Sequence, residues 1–497
     1  MRKISYQIGY AMVIALGMAL SGCSDFLSPS PESIYTTQTF YKSQKDFELA
    51  ITAVYDAQQQ VYDGQQGMLH FLEARCDNTN SVNTNLYDDG GASFTDNSSC
   101  TPTLNVWKAM YQIITRTNGI LDRIDAVEFS NAQTKDYIKG EAYGMRGWAY
   151  EMLGKYFGGV PLLTREMTEA EIRKVARSTQ EQTFAQAVSD YKQAISLLPS
   201  SWSSDNAGRM TRGAANAVLG RLYMFMNQPA EARPYLEAVI NSGIYQLADS
   251  YEKIFNDAYD NDPSADRVWE VQYIGGMMGE GQDYSEMMMP EDCGITEGYA
   301  VRGTSAAMQV STDLLNSFEP GDYRRTWATT NTISGSLAQG YTWCTKFCRS
   351  HTYIPQKGDD WAVNLPIIRY TDVILLEAEA INATEGPTAT AIDYVNRVRA
   401  RAKLPELTGT QTASKEAFLK VIKQERRAEF LFEGQRWFDL VRWGDFVSTM
   451  SAFFSQSDEG AGRYVKYVTN DRAIFAIPQS EIDRYDDSAI LPQNHGY

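Results

Sequence analysis

Apolar side chains recur every three or four positions through much of the chain, which predicts a mainly helical protein. The spacing gives a helix from about Lys45 to Val61 and another from Asn105 to Ile124, with Trp107, Tyr111, Ile114 and Leu121 on one face. Between them, Tyr62 to Leu104 reads as irregular. A third helix runs from Asp136 to Phe157 and ends at Gly158-Gly159-Val160-Pro161. A fourth, Thr179 to Leu198, opens with Thr179 and Gln182 at capping-box spacing and stops at Pro199.

Leu219-Gly220-x-x-Tyr223, followed by Ala232 and Leu236, has the spacing of a tetratricopeptide repeat, in which small residues let two antiparallel helices approach closely. Ile367 to Ala383 and Thr390 to Ala402 form a second predicted pair of similar length. The stretch between the pairs differs. Val268 to Tyr273 alternates like a strand, and Gly275, Gly276, Gly279 and Gly281 follow in a Met-rich loop. This region, about 266–365, carries Tyr284, Tyr299, Trp327, Tyr341, Trp343, Tyr353 and Trp361, and long insertions on a rigid scaffold are where binding usually resides.

Gln424 to Trp443 combines eight formal charges with five aromatic rings and reads as one helix. Glu425, Glu429 and Glu433 at four-residue spacing repel one another by about 0.2–0.5 kcal/mol per pair unless neutralised. Arg426, Arg427, Arg436 and Arg442 are the neutralising groups, and the surrounding rings predict that these charges are buried and paired. Acid/base chemistry from Glu425, Arg427, Glu429, Arg436 and Asp439 is the weaker reading. The chain has three histidines and no HExxH, GxSxG or Ser/Cys-His pattern, so no catalytic residue is assigned.

The first residues set the compartment. Arg2 and Lys3 precede an apolar run from Ile8 to Leu20, the layout of an export signal. Leu20-Ser21-Gly22-Cys23 then reads as a lipobox, which makes 1–22 a signal peptide and Cys23 the lipidated residue of a chain held at a membrane by its anchor. The formal net charge of −17 argues against a nucleic-acid partner. With no linker composition or charge block, 23–497 reads as one domain: helical scaffold at about 40–265 and 366–497, loop-rich and partly β between. Thirty tyrosines and nine tryptophans on an acidic exported chain suit neutral polyols, which stack on rings and hydrogen-bond to carboxylates.

Cys76 and Cys100 flank an Asn/Asp/Gly/Ser-rich segment, and a disulfide closing it would stabilise by about 3–4 kcal/mol. Cys344, Cys348 and His351, with Cys293 as a fourth ligand, have only loosely metal-like spacing, and an exported chain favours disulfides or isolated thiols over zinc. Asp257, Asp260, Asp262 and Asp266 depart from a calcium-loop pattern and read as solvated turns. No metal or cofactor is expected.

Several segments together resemble the SusD/RagB family of surface lipoproteins. These are Cys23-Ser24-Asp25-Phe26-Leu27; Glu141-Ala142 through Arg146, Tyr150 and Phe157 to Leu162, with Gly147 where alanine is usual; and Arg369-Tyr370-x-Asp372 through Ala380. Glu425-Arg426-Arg427-x-Glu429-Phe430 and Glu433-Gly434-x-Arg436-Trp437-Phe438-Asp439-Leu440 match its strongest motif, and Ile477-Pro478 and Gln493-Asn494-x-Gly496-Tyr497 its ending, with His495 replacing a proline. The resemblance implies tetratricopeptide-like helix pairs under a variable loop region. It also implies a non-catalytic, lipid-anchored outer-membrane protein at the cell surface that captures oligosaccharides for import by a SusC-like TonB-dependent transporter. A peptide-capturing or assembly subunit is the alternative, and a helical glycoside hydrolase a third.

Ligand contacts are expected where aromatic and planar polar residues meet in the variable loops. Tyr341, Trp343 and Trp361 lead, followed by Tyr87, Asp77 and Asn78, and by Tyr284. Trp327 reads as core. Glu425, Arg427, Glu429, Arg436, Asp439 and Arg369 are assigned to structural ion pairing.

Overall fold

The computed structural model describes residues 40–62, 67–80, 89–288, 308–333, 336–337, 342–349, 352–456 and 462–497. Cys23, Tyr87, Cys293, Tyr299, Tyr341 and His351 lie outside them. The chain is mainly helical, as its periodicity predicts.

Helices α1 (Gln44–Tyr62), α2 (Met68–Ala74), α3 (Thr101–Leu121), α4 (Ala132–Phe157) and α5 (Gln180–Leu197) build the first half. Helices α6 (Arg212–Phe225) and α7 (Pro229–Asn241) follow, then strand β1 (Arg267–Val271). Strand β2 (Leu365–Arg369) leads directly into α8 (Tyr370–Thr384), and α9 (Ala389–Arg401), α10 (Lys415–Glu429), α11 (Arg436–Arg442) and α12 (Phe446–Gln456) complete the scaffold. Neighbouring helices pack in pairs: α3 on α4, α4 on α5, α6 on α7, and α8 on both α7 and α9.

Local chemistry explains these elements. At the start of α5, the Thr179 hydroxyl accepts from Gln182 N at 3.1 Å while the Gln182 side chain accepts from Thr179 N at 2.9 Å, completing the capping box. The α6–α7 hairpin depends on Gly220, where an added Cβ would stand 2.6 Å from Leu236 Cδ2. Absence of that carbon lets Leu236 seat against the α6 backbone. Gly159, which follows α4, is more constrained, since a Cβ there would lie 1.8 Å from Ser178 O. The carbonyl of Val160 accepts from Ser178 N at 3.1 Å, so the chain after α4 is pinned to the segment entering α5.

Four expectations need correction. Met68 to Ala74, inside the predicted irregular stretch, forms α2, and every residue in it is buried. The predicted helix Ile367–Ala383 begins at Tyr370, because Leu365–Arg369 is drawn into an antiparallel ribbon with β1, pairing Trp269 with Ile368 and Val271 with Leu365. Both strands are buried along their whole length. The predicted continuous helix Gln424–Trp443 is broken between Glu429 and Arg436, where Phe432 has φ 60° and Gly434 has φ 72°. Glu433 therefore leaves the helical ladder of Glu425 and Glu429. Finally, Cys76 and Cys100 are free buried thiols, not a disulfide.

Candidate functional site

The break after α10 brings charges from distant parts of the chain to one buried centre. Arg369, at the end of β2, donates from Nε to Glu433 Oε2 and from Nη2 to Glu433 Oε1, both at 2.8 Å, and from Nη2 to Glu429 Oε1 at 3.1 Å. Lys346 donates to Glu433 and to the Glu429 carbonyl. Arg401 reaches Glu429 at 2.6 Å and Asp266 at 3.0 Å, and Tyr251 Oη donates to Glu429 Oε2 at 2.7 Å. Arg324 spans Asp322 at 2.7 Å and Glu425.

A second cluster pairs Arg426 with Asp372 at 2.6 Å and Asp439 at 2.8 Å, and joins Arg442 to Asp439 and Glu379. In a third, Asp77 accepts both Nε and Nη2 of Arg436 at 2.8 Å and pairs with Arg427 at 3.0 Å. Burial alone would raise these carboxyls. Instead the guanidinium groups of Arg401, Arg369 and Arg324 hold Glu429 far below its ordinary value, and Arg436 and Arg427 bring Asp77 down to about 2. Glu429 and Asp77, held down in this way, offer no proton at neutral pH, and the buried pairing supports the structural role assigned to Glu425, Arg427, Glu429, Arg436, Asp439 and Arg369.

Sequence reasoning missed Asp266 and Lys346 in this centre. Asp266 was read as a solvated turn, yet it is buried, has φ 71°, and accepts from Arg369, Arg401 and Thr371. The other three aspartates do serve turns or pairs: Asp257 accepts from Thr352, Asp260 pairs with Arg267, and Asp262 caps a short turn through Ser264 N. Among the described residues, no group of three or more His, Cys, Asp or Glu is placed to hold a metal.

The ligand candidates are placed differently from expectation. Trp343 is 3% exposed, and Trp361 and Tyr284 are each 1% exposed, so none offers a ring face to solvent. Tyr284 packs edge-on to Phe347 and donates its hydroxyl to Phe432 O at 2.9 Å. The Trp361 backbone exchanges hydrogen bonds with Gln282. Asp77 and Asn78 are committed to Arg427 and Arg436 and are likewise buried. Their polar sequence surroundings concealed this, because polar neighbours along the chain do not report burial in the fold.

What the loop face does present is a ledge formed by Ile274, Met277, Met278 and Ile354, 44–69% exposed. Asp360 fixes its underside by accepting from Met277 N at 2.8 Å, Gln356 N at 3.2 Å and the Tyr353 hydroxyl. The ledge is apolar, with part-exposed Tyr353 beside it, a surface suited to contact rather than to catalysis.

The SusD family model matches residues 316–497, and a second model, described as starch-binding associating with outer membrane, matches 25–224. This chain belongs to the SusD/RagB family. Its sequence is 28% identical to SusD-like protein P38 of Formosa agariphila over 89% of this chain and 92% of that relative. It is 24% identical to a SusD-like protein of Bacteroides ovatus over 87% of this chain and 82% of the other. Among solved structures, a laminarin binding SusD-like protein superposes with a TM-score of 0.76 at 25% identity, covering 92% of this chain and all of the other. A SusD homolog from Bacteroides thetaiotaomicron gives 0.77 at 19% identity, a likeness of fold. The SusD-like scaffold is thus the one the helix pairing describes.

Proposed function

We propose that this protein is a non-catalytic, surface-exposed lipoprotein of the outer membrane that binds oligosaccharides and passes them to a SusC-like TonB-dependent transporter. The observation that carries this reading is the end-to-end likeness to a laminarin binding SusD-like protein. The outer-membrane association in the description of the N-terminal family match supports the location. The lipobox at Leu20-Ser21-Gly22-Cys23 supplies the anchor. A broad helical scaffold supplies the transporter's docking surface. Ligand capture falls to the loop face, where Tyr353 is part-exposed; Tyr341 and Tyr87, candidates from the sequence, lie outside the described residues. The buried pairing of the strongest motif's carboxylates supports binding without hydrolysis.

The test is native gel electrophoresis of the full-length chain, solubilised in detergent, through gels containing laminarin or other neutral polysaccharides, with reducing ends assayed in parallel. Retardation without release of reducing ends supports the reading, and released ends refute it. Failure to bind any polysaccharide, together with co-purification of a transporter, would favour the assembly-subunit alternative.

A further inference from the structure

A cleft away from the exposed ledge has the chemistry of a separate ligand site. The connection between α5 and α6 carries Trp202, part-exposed, with its indole Nε1 donating to Met210 O at 2.9 Å so that the ring's orientation is set. Tyr137 meets the ring edge-on at 5.4 Å between centroids, and the Arg209 guanidinium carbon lies 5.8 Å from its centre. Two cavities, of about 270 and 520 Å³, share Trp202 and Arg209 in their walls. The smaller is also bounded by β1.

The walls also select charge. Arg209 is already engaged by Glu141 at 3.4 Å, and Arg267 by Asp260 at 2.6 Å and by Glu270. Both arginines of the walls thus already face acidic groups, while Thr211 and Tyr245 add a hydroxyl pair 2.9 Å apart at the wall. A fixed aromatic face, hydroxyls and arginines already engaged by acidic groups together fit a ring with one apolar face and a rim of oxygen atoms.

We propose that the Trp202 cleft is a carbohydrate-binding site separate from the loop face, taking a single neutral pyranose unit that stacks on Trp202. The inference rests on the glycan-binding reading above only for the class of its ligand.

The experiment is saturation-transfer NMR on the full-length, detergent-solubilised chain with the methyl pyranosides of glucose, galactose and mannose, and with methyl glucuronide as the anionic control. At least one neutral pyranoside should bind. Trp202→Ala should weaken it about tenfold or more, and Trp202→Phe should keep it within about threefold. Ala207→Trp, at an exposed position of the cleft wall, should also weaken it about tenfold without disturbing the core. Absence of binding by every neutral pyranoside overturns the proposal, as does unchanged binding in both W202A and A207W, or glucuronide binding as strong as the neutral sugars. Polysaccharide retardation of the parent chain is read separately. Its loss would refute the loop-face reading, whereas failure of the cleft shows only in the pyranoside data.

Discussion

Arg369 and Glu433 face each other across two parallel hydrogen bonds of 2.8 Å, although β2 and the turn after α10 are far apart in sequence. Both side chains are nearly inaccessible, at 1% and 3%. Removing one partner strands the other, together with Lys346, in a site that water does not reach. Arg369→Ala should therefore cost about 3–5 kcal/mol, the range for breaking a buried pair. Urea denaturation followed by circular dichroism measures this, and a loss below about 1 kcal/mol would show that the pair contributes little beyond its own desolvation.

Glu73 in α2 gives the opposite electrostatic case. Burial pushes its carboxyl up from the ordinary 4.5 to about 7, even though Gly434 N donates to it at 2.6 Å. The folded state therefore holds a proton that the unfolded chain has released. Stability falls as pH rises from about 4.5 to 7 and then levels. Glu141 and Glu377, each also pushed up to about 7 by burial, add slope of the same sign. Asp77 works the other way: held down to about 2, it contributes stability above its ordinary 3.8 that is lost as pH falls toward 2. Denaturation at pH 5 and pH 8 should show Glu73→Gln reducing the alkaline loss by about 1–3 kcal/mol, because the glutamine carbonyl still accepts from Gly434 N but never ionises. An unchanged difference between the two pH values would mean that Glu73 ionises freely in the fold.

Much of the scaffold was legible because its signals are local. The Thr179–Gln182 box and the Gly220–Leu236 approach are written within a few residues or one hairpin. The β2 segment was misread because Ile367 and Ile368 are an apolar run of ambiguous period, and the partner that makes them a strand is Val271 and its neighbours about a hundred residues earlier. Asp266 was illegible for the same reason, since only its meeting with Arg369 and Arg401 distinguishes it from any turn aspartate. Trp343, Trp361, Tyr284, Asp77 and Asn78 failed as ligand contacts on burial, which polar loop composition does not report. Trp202 lies in a short, serine-rich connection between scaffold helices, where its single ring gave no pattern.

Trp361 turns from a binding candidate into a test of packing. At 1% exposure, with its backbone paired to Gln282, the ring is fully buried. Trp361→Ala should lower stability by about 3–5 kcal/mol through the cavity it leaves. Laminarin retardation per folded molecule should stay the same. Denaturant midpoints and gel mobility of the same preparation separate the two effects. A variant of parental stability with lost retardation would return Trp361 to the ligand surface.

The proposed lipid anchor at Cys23 would decide how the protein is held. No helix among the described residues is long and apolar enough to cross a membrane. The Arg2-Lys3 cations, the apolar run to Leu20 and the small residues before Cys23 stand in the order expected of an export and lipidation signal. Acyl chains on that thiol would contribute about 0.8 kcal/mol for each methylene buried in the bilayer. Cys23→Ser removes the acyl acceptor and leaves the folded body untouched. Radiolabelled palmitate should label the parent and not the variant, and the variant should leave the outer-membrane fraction. Equal palmitate incorporation in both chains would place the lipid elsewhere and leave the lipobox without a role.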